Sequence, residues 1–125
     1  MGPGLLRQVA GFENLVHPGD LADIKLATNA MEMTLSVQGK RTINLDPGIL
    51  SEERLILASG KNYTHRVYLR NGIYADLTLI YQKNSYRPLP WTYADYREPV
   101  LLHCFKALKR KLLFQRSGRL PRTLS

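Results

Sequence analysis

The side chains best suited to chemistry fall into three groups. Arg41, Asn44, Asp46 and Lys61 lie at strand ends or in the turns beside them, where loops commonly carry function. His65, Arg66 and Asp76 lie in an expected hairpin. Trp91, Tyr93, Asp95 and Arg97 crowd one proline-flanked aromatic segment. If the strands align, these groups converge on an anionic small molecule, a nucleotide or phosphate compound, held at strand-end loops, with the aromatic segment as a wall. Each group also has a structural reading. Asn44 and Asp46 suit turn chemistry, bonding nearby amides. Arg66 and Asp76 suit a cross-strand ion pair on a solvated face, and His65 a hydrogen-bonded core histidine. The aromatic segment suits a plug that closes the core.

Other chemistries find less support. His17, His65 and His103 stand in separate elements, with no cysteine pair and no His-x-x-x-His, so no metal site is expected. Cys104 sits among the apolar positions of a helix and reads as a core thiol. A phosphate-binding loop needs G-x-x-x-x-G-K-[ST]. Here Gly39-Lys40 is followed by Arg41 and Gly60-Lys61 by Asn62, neither with glycine five positions earlier, and no Asn-Lys-x-Asp occurs. No cofactor and no catalytic residue follows from these motifs.

The elements that must position these residues come from a chain of 125 residues, 44% hydrophobic and 22% charged. Such a chain forms one domain with one modest core, which excludes a disordered polymer and a two-domain enzyme. Its apolar runs are too short for a membrane helix. The first residues lack the pattern of a signal peptide, and the lone cysteine forms no internal disulfide, so a cytoplasmic location is expected. The net charge is +8, and residues 106–125 hold seven of the 18 basic residues and no acid. Residues 1–114 are expected to be globular and 115–125 a disordered basic tail. That tail suggests an alternative, a nucleic-acid-binding module with residues 91–96 as its stacking surface.

Residues 5–12 read as a short strand. His17-Pro18-Gly19-Asp20 then opens a helix whose face is Leu21, Ile24, Thr28, Met31 and Leu35, with Gly39 as its stop. Residues 41–45 alternate as a strand before the turn signal Asp46-Pro47-Gly48. Residues 51–54 read as a capped helical turn. Leu55-Ile56-Leu57-Ala58-Ser59 is a nearly continuous apolar run, as in a strand buried on both faces. Residues 82–97 are expected to be an ordered, irregular loop. Glu98-Pro99 starts the last helix, with Leu101, Cys104, Phe105, Leu108 and Leu112 on its apolar face.

Residues 63–81 form the clearest local unit, a hairpin around Asn71-Gly72. A two-residue loop pairs Arg70 with Ile73 and Arg66 with Leu77, mixing charge with apolar groups on both faces. A three-residue loop pairs Leu69 with Ile73, Val67 with Ala75 and His65 with Leu77. Its other face pairs Tyr68 with Tyr74, Arg66 with Asp76 and Thr64 with Thr78. The second register separates an apolar from a polar face and is the one expected. The fold class is α+β, a mainly antiparallel sheet of about four or five strands with helices packed on one face.

Several segments together resemble an uncharacterised bacterial family, domain of unknown function 4416. They are Asn44-Leu45-Asp46-Pro47-Gly48, Leu57-Ala58-Ser59-Gly60-Lys61, His65-Arg66-Val67-Tyr68-Leu69, Gly72-Ile73-Tyr74-Ala75 and residues 89–97. The resemblance spans residues 12–105 and covers the family's C-terminal two-thirds, which implies a strand and helix ahead of this segment. A third reading follows, a fragment that acts as an interaction subunit through an exposed edge. Ile49, Gly60, Asn62 and Ala94 stand where the family pattern implies an aromatic, Thr, Asp and Pro.

Overall fold

The computed structural model describes residues 8–12 and 14–117. Pro18 opens a single 3-10 turn, Pro18–Asp20, and the His17 Nδ1 accepts the Gly19 amide at 3.0 Å. The first helix, α1 (Leu21–Thr34), continues from it. Five strands follow: β1 (Gly48–Leu50), β2 (Arg54–Ser59), β3 (Arg66–Arg70), β4 (Ile73–Gln82) and β5 (Ser85–Pro88). A second 3-10 turn, Ala94–Arg97, leads into α2 (Pro99–Ser117). All pairings are antiparallel. The order is β1-β2-β4-β3, with β5 also on β4. The chain is therefore α+β, with an open antiparallel sheet. No helix among the described residues is long and apolar enough to cross a membrane.

Alternate residues of the sheet feed two cores. Ile49, Ile56, Ala58 and Ile73 pack with Leu21 and Ala22 of α1. Leu50, Leu55, Leu57, Leu79 and Tyr86 pack with Phe105, Leu101 and Leu108 of α2. Because neighbours along a strand point to opposite faces, each helix takes its own face. The helices do not share one, as the sequence reading had them. The apolar run of β2 is the reason, since a strand hydrophobic on both sides needs a cover on both.

The hairpin combines both registers considered from sequence. Asn71 (φ 53°) and Gly72 (φ 76°) are both left-handed and close a two-residue turn in which Arg70 pairs with Ile73. The ladder then shifts, with Leu69 as the extra residue, and resumes as Tyr68 with Tyr74, Val67 with Ala75 and Arg66 with Asp76. The bulge converts the turn that Asn-Gly favours into the register that the charges require.

Several local expectations fail for identifiable reasons. Residues 41–45 are not a strand: their groups are taken by side chains of α1 and the loop after it. Glu32, 3% exposed, accepts the Leu45 amide at 2.6 Å and pairs with Arg41 at 3.7 Å. Thr42 Oγ1 donates to the Leu35 carbonyl at 2.7 Å. The buried side of α1 accordingly turns toward Glu32, leaving Met31 and Leu35 exposed. Residues 51–54 are the β1–β2 turn, closed by the Ser51 amide on the Arg54 carbonyl, not a helical turn. Residues 82–97 include β5, which pairs Tyr86 with Tyr81. Residues 8–12 have no regular structure, and residues 1–7 lie outside the described residues. Gln115 and Arg116 belong to α2, so the helix runs past the expected tail boundary, while residues 118–125 lie outside the described residues.

Tyr86 ties β5 to the other end of the sheet. Its ring is 1% exposed, and its hydroxyl donates to the Ser51 carbonyl at 2.8 Å. Burial, reinforced by the nearby Tyr81, Glu52 and Glu53, holds its pKa far above the ordinary 10.0. Above that pH the unfolded chain loses the Tyr86 proton and the folded chain keeps it, so stability falls as pH rises. Tyr86→Phe is expected to cost about 1 kcal/mol at neutral pH, from the lost hydrogen bond. It should also flatten the loss of stability above pH 10, as read by denaturant unfolding across the alkaline range.

Candidate functional site

β4 is paired along one side by β2, but two short strands share its other side. β3 pairs with β4 up to Asp76, and β5 pairs with it from Leu79. Leu77 and Thr78 fall in the gap, and Thr78 is also the extra residue where β2 shifts from Leu77 to Leu79. Their carbonyls need partners, because an unpaired polar group in a buried sheet is costly. The partners are consecutive side chains of the aromatic segment. Trp91 Nε1 donates to the Leu77 carbonyl at 2.7 Å, and Thr92 Oγ1 donates to the Thr78 carbonyl at 2.6 Å. Thr92 Oγ1 also accepts the Leu89 amide at 2.8 Å. Arg97 fixes the same segment from behind, donating to the carbonyls of Thr92 at 2.9 Å and Leu89 at 2.6 Å. The aromatic segment is therefore pinned to the sheet at the gap.

Beneath it lies the Arg66–Asp76 pair. Arg66 Nε donates to Asp76 Oδ2 at 2.7 Å, with the side chains 4% and 10% exposed. Arg66 Nη1 donates to Ser59 Oγ at 2.7 Å and to the Lys61 carbonyl at 3.3 Å. The guanidinium lies over the Tyr63 ring, 4.3 Å from its centroid. The Thr78 hydroxyl shares its one proton between the Asp76 carbonyl at 3.1 Å and Asp76 Oδ1 at 3.3 Å. His65 Nε2 sits 3.4 Å from Asp76 Oδ2, and the imidazole stacks on Trp91 with centroids 5.1 Å apart. The Arg66–Asp76 end of the hairpin face expected to be solvated is thus covered and the pair on it buried, while Tyr68 on the same face stays exposed.

A cleft of about 250 Å3 opens between the aromatic segment and the turn before β1. Of the residues picked from sequence, it brings together Asn44, Asp46, Arg66, Asp76, Trp91, Tyr93 and Asp95. Four stand apart. Arg41 turns to Glu32 and to Asn44 Oδ1 at 3.4 Å. Lys61 is joined to the site through its backbone. His65 touches it only through Asp76 and Trp91, and Arg97 works behind the segment as a clamp. Ser59, Thr78 and Thr92 also line the cleft, and sequence reasoning missed them. Thr78 was legible only as a hydroxyl on the hairpin face, because nothing local marks the bulge.

Charge at the cleft differs from expectation. Its lining holds Asp46, Asp76 and Asp95 against one basic residue, Arg66. The basic end of the chain is partly consumed by the fold. Lys109 is 6% exposed, with its ammonium 3.9 Å from the centroid of the Tyr81 ring, and Arg116 pairs with Glu52 at 2.7 Å. Among the described residues no cluster of His, Cys, Asp and Glu suits a metal ion.

Fold and cleft define a small α+β domain whose open sheet is roofed on one side by an anchored aromatic segment. The chain belongs to a family described as a domain of unknown function (DUF4416), whose model matches residues 1–112. No curated protein and no solved structure matches it.

Burial makes Arg66 structural as well as a lining group, so Arg66→Ala does not spare the fold. It is expected to cost about 3–5 kcal/mol by stranding Asp76. The double variant Arg66→Ala with Asp76→Ala should be more stable than Arg66→Ala alone, because it removes the stranded charge. Urea unfolding of the three proteins checks both.

Proposed function

We propose that this domain binds a small polar molecule in the cleft over the Arg66–Asp76 pair. One observation carries the reading. The Arg66 side chain is only 4% exposed and lines a cleft walled by the sole tryptophan, and its Nη2, not itself fully buried, has no hydrogen-bond partner among the described residues. A buried guanidinium with an unspent donor, beside an exposed aromatic face on a pinned segment, is the kind of convergent polar group that orients a ligand.

The phosphate compound expected from sequence enters as the competing ligand class. Arg66 Nη2 and the Ser59 hydroxyl suit an anion, but the exposed Asp46 carboxylate at the cleft repels one. The nucleic-acid reading is weaker, since Lys109 and Arg116 are engaged within the fold.

The test is a proton–nitrogen correlation spectrum of the whole chain, recorded with mixtures of small polar metabolites. Amides of residues 44–46, 59 and 91–96 are expected to shift together with at least one mixture. If none moves them while the spectrum stays dispersed, the cleft is not a binding site.

A further inference from the structure

Resting on that reading, we infer that the cleft takes a neutral ligand carrying adjacent hydroxyls on a ring, a sugar or cyclic polyol, and neither a simple anion nor a simple cation. The argument is an inventory of unspent hydrogen-bonding capacity. On the floor, Arg66 Nη2 retains donors. Ser59 Oγ already accepts from Arg66 Nη1 at 2.7 Å and from the Lys61 amide at 3.1 Å, so its own proton is left to donate. At one rim, Asp46 receives a single long contact, Asn44 Nδ2 to Oδ2 at 3.4 Å, and Oδ1 has no donor among the described residues.

The lining therefore asks for acceptors at the floor and for donors at the rim. An anion faces Asp46 with like charge, and a fully deprotonated one offers only acceptors. An ammonium offers only donors and leaves Arg66 Nη2 and the Ser59 proton unmet. A hydroxyl is both donor and acceptor, so neighbouring hydroxyls on one ring answer both demands at once. A sugar ring also has an apolar face, and Trp91 (39% exposed) and Tyr93 (59% exposed) offer aromatic surface on the opposite wall. The volume, about 250 Å3, accommodates a single ring.

The experiment follows Trp91 fluorescence while the whole chain is titrated with myo-inositol, D-ribose, inorganic phosphate, methylammonium or nicotinamide. Saturation is expected with a polyol in the millimolar range or tighter, and not with phosphate or methylammonium. Asp46→Ala is expected to weaken polyol binding about tenfold, with Asp46→Asn intermediate. Asp46 is exposed and its single side-chain contact is long, so both variants should keep the parent unfolding midpoint. Saturation by phosphate or methylammonium, or by nicotinamide with both polyols silent, overturns the inference and leaves the cleft a binding site. Unchanged polyol affinity in Asp46→Ala also overturns it. Silence from all five overturns it, and the metabolite-mixture spectrum then decides separately whether the cleft binds anything.

Discussion

The site depends on a break in the hydrogen-bond ladder of β4. Where β3 stops and β5 has not begun, Leu77 and Thr78 present carbonyls that no strand takes. A buried sheet cannot leave them unpaired, and the fold answers with the side chains of Trp91 and Thr92. That choice fixes where the chain must run after β5. It crosses the sheet at the gap, stacks Trp91 on His65 and Tyr96 on Phe105, and turns back through Arg97 into α2.

The electrostatics follow from that crossing. On an open sheet Arg66 and Asp76 would be an ordinary solvated pair of small energetic consequence. Covered by the aromatic segment, the same two residues become a buried pair whose partners must be supplied in full. Ser59, Thr78 and the Lys61 carbonyl supply most of them. The unspent capacity of Arg66 and Ser59 is confined to the cleft between the segment and the turn at Asn44 and Asp46. The same crossing thus roofs one face of the sheet and leaves a polar opening beside the roof.

How much of this was legible depended on which interactions are local. Pro18 and Pro99 mark the helix starts because proline acts on its own backbone. The pairing of Arg66 with Asp76 was legible because charge and apolar groups must separate across a hairpin. The strand β5 was hidden. Its turn uses Lys83 and Asn84 at φ 50° and 66° without a glycine, and Pro88 stands in an edge strand, where a missing amide is tolerated. Residues 41–45 do alternate, but Glu32, nine residues before Arg41, takes the Leu45 amide from another element. Apolar periodicity cannot reveal a carboxylate as the buried residue of a helix. The cleft was legible as a set of residue types and not as a place, since the bulge at Thr78 and the roles of Ser59 and Thr92 arise only from long-range pairing.

Thr92→Val tests the central claim most directly. Valine keeps the shape of threonine and removes the one oxygen that both donates to the Thr78 carbonyl and accepts the Leu89 amide. Two buried groups are then left unpaired, so urea unfolding is expected to show a loss of about 2–4 kcal/mol. Quenching of Trp91 fluorescence by a soluble quencher should rise in the folded protein as the segment loosens. A variant within about 0.5 kcal/mol of the parent, with Trp91 quenched no more readily, would contradict the claim that the gap in β4 anchors the site.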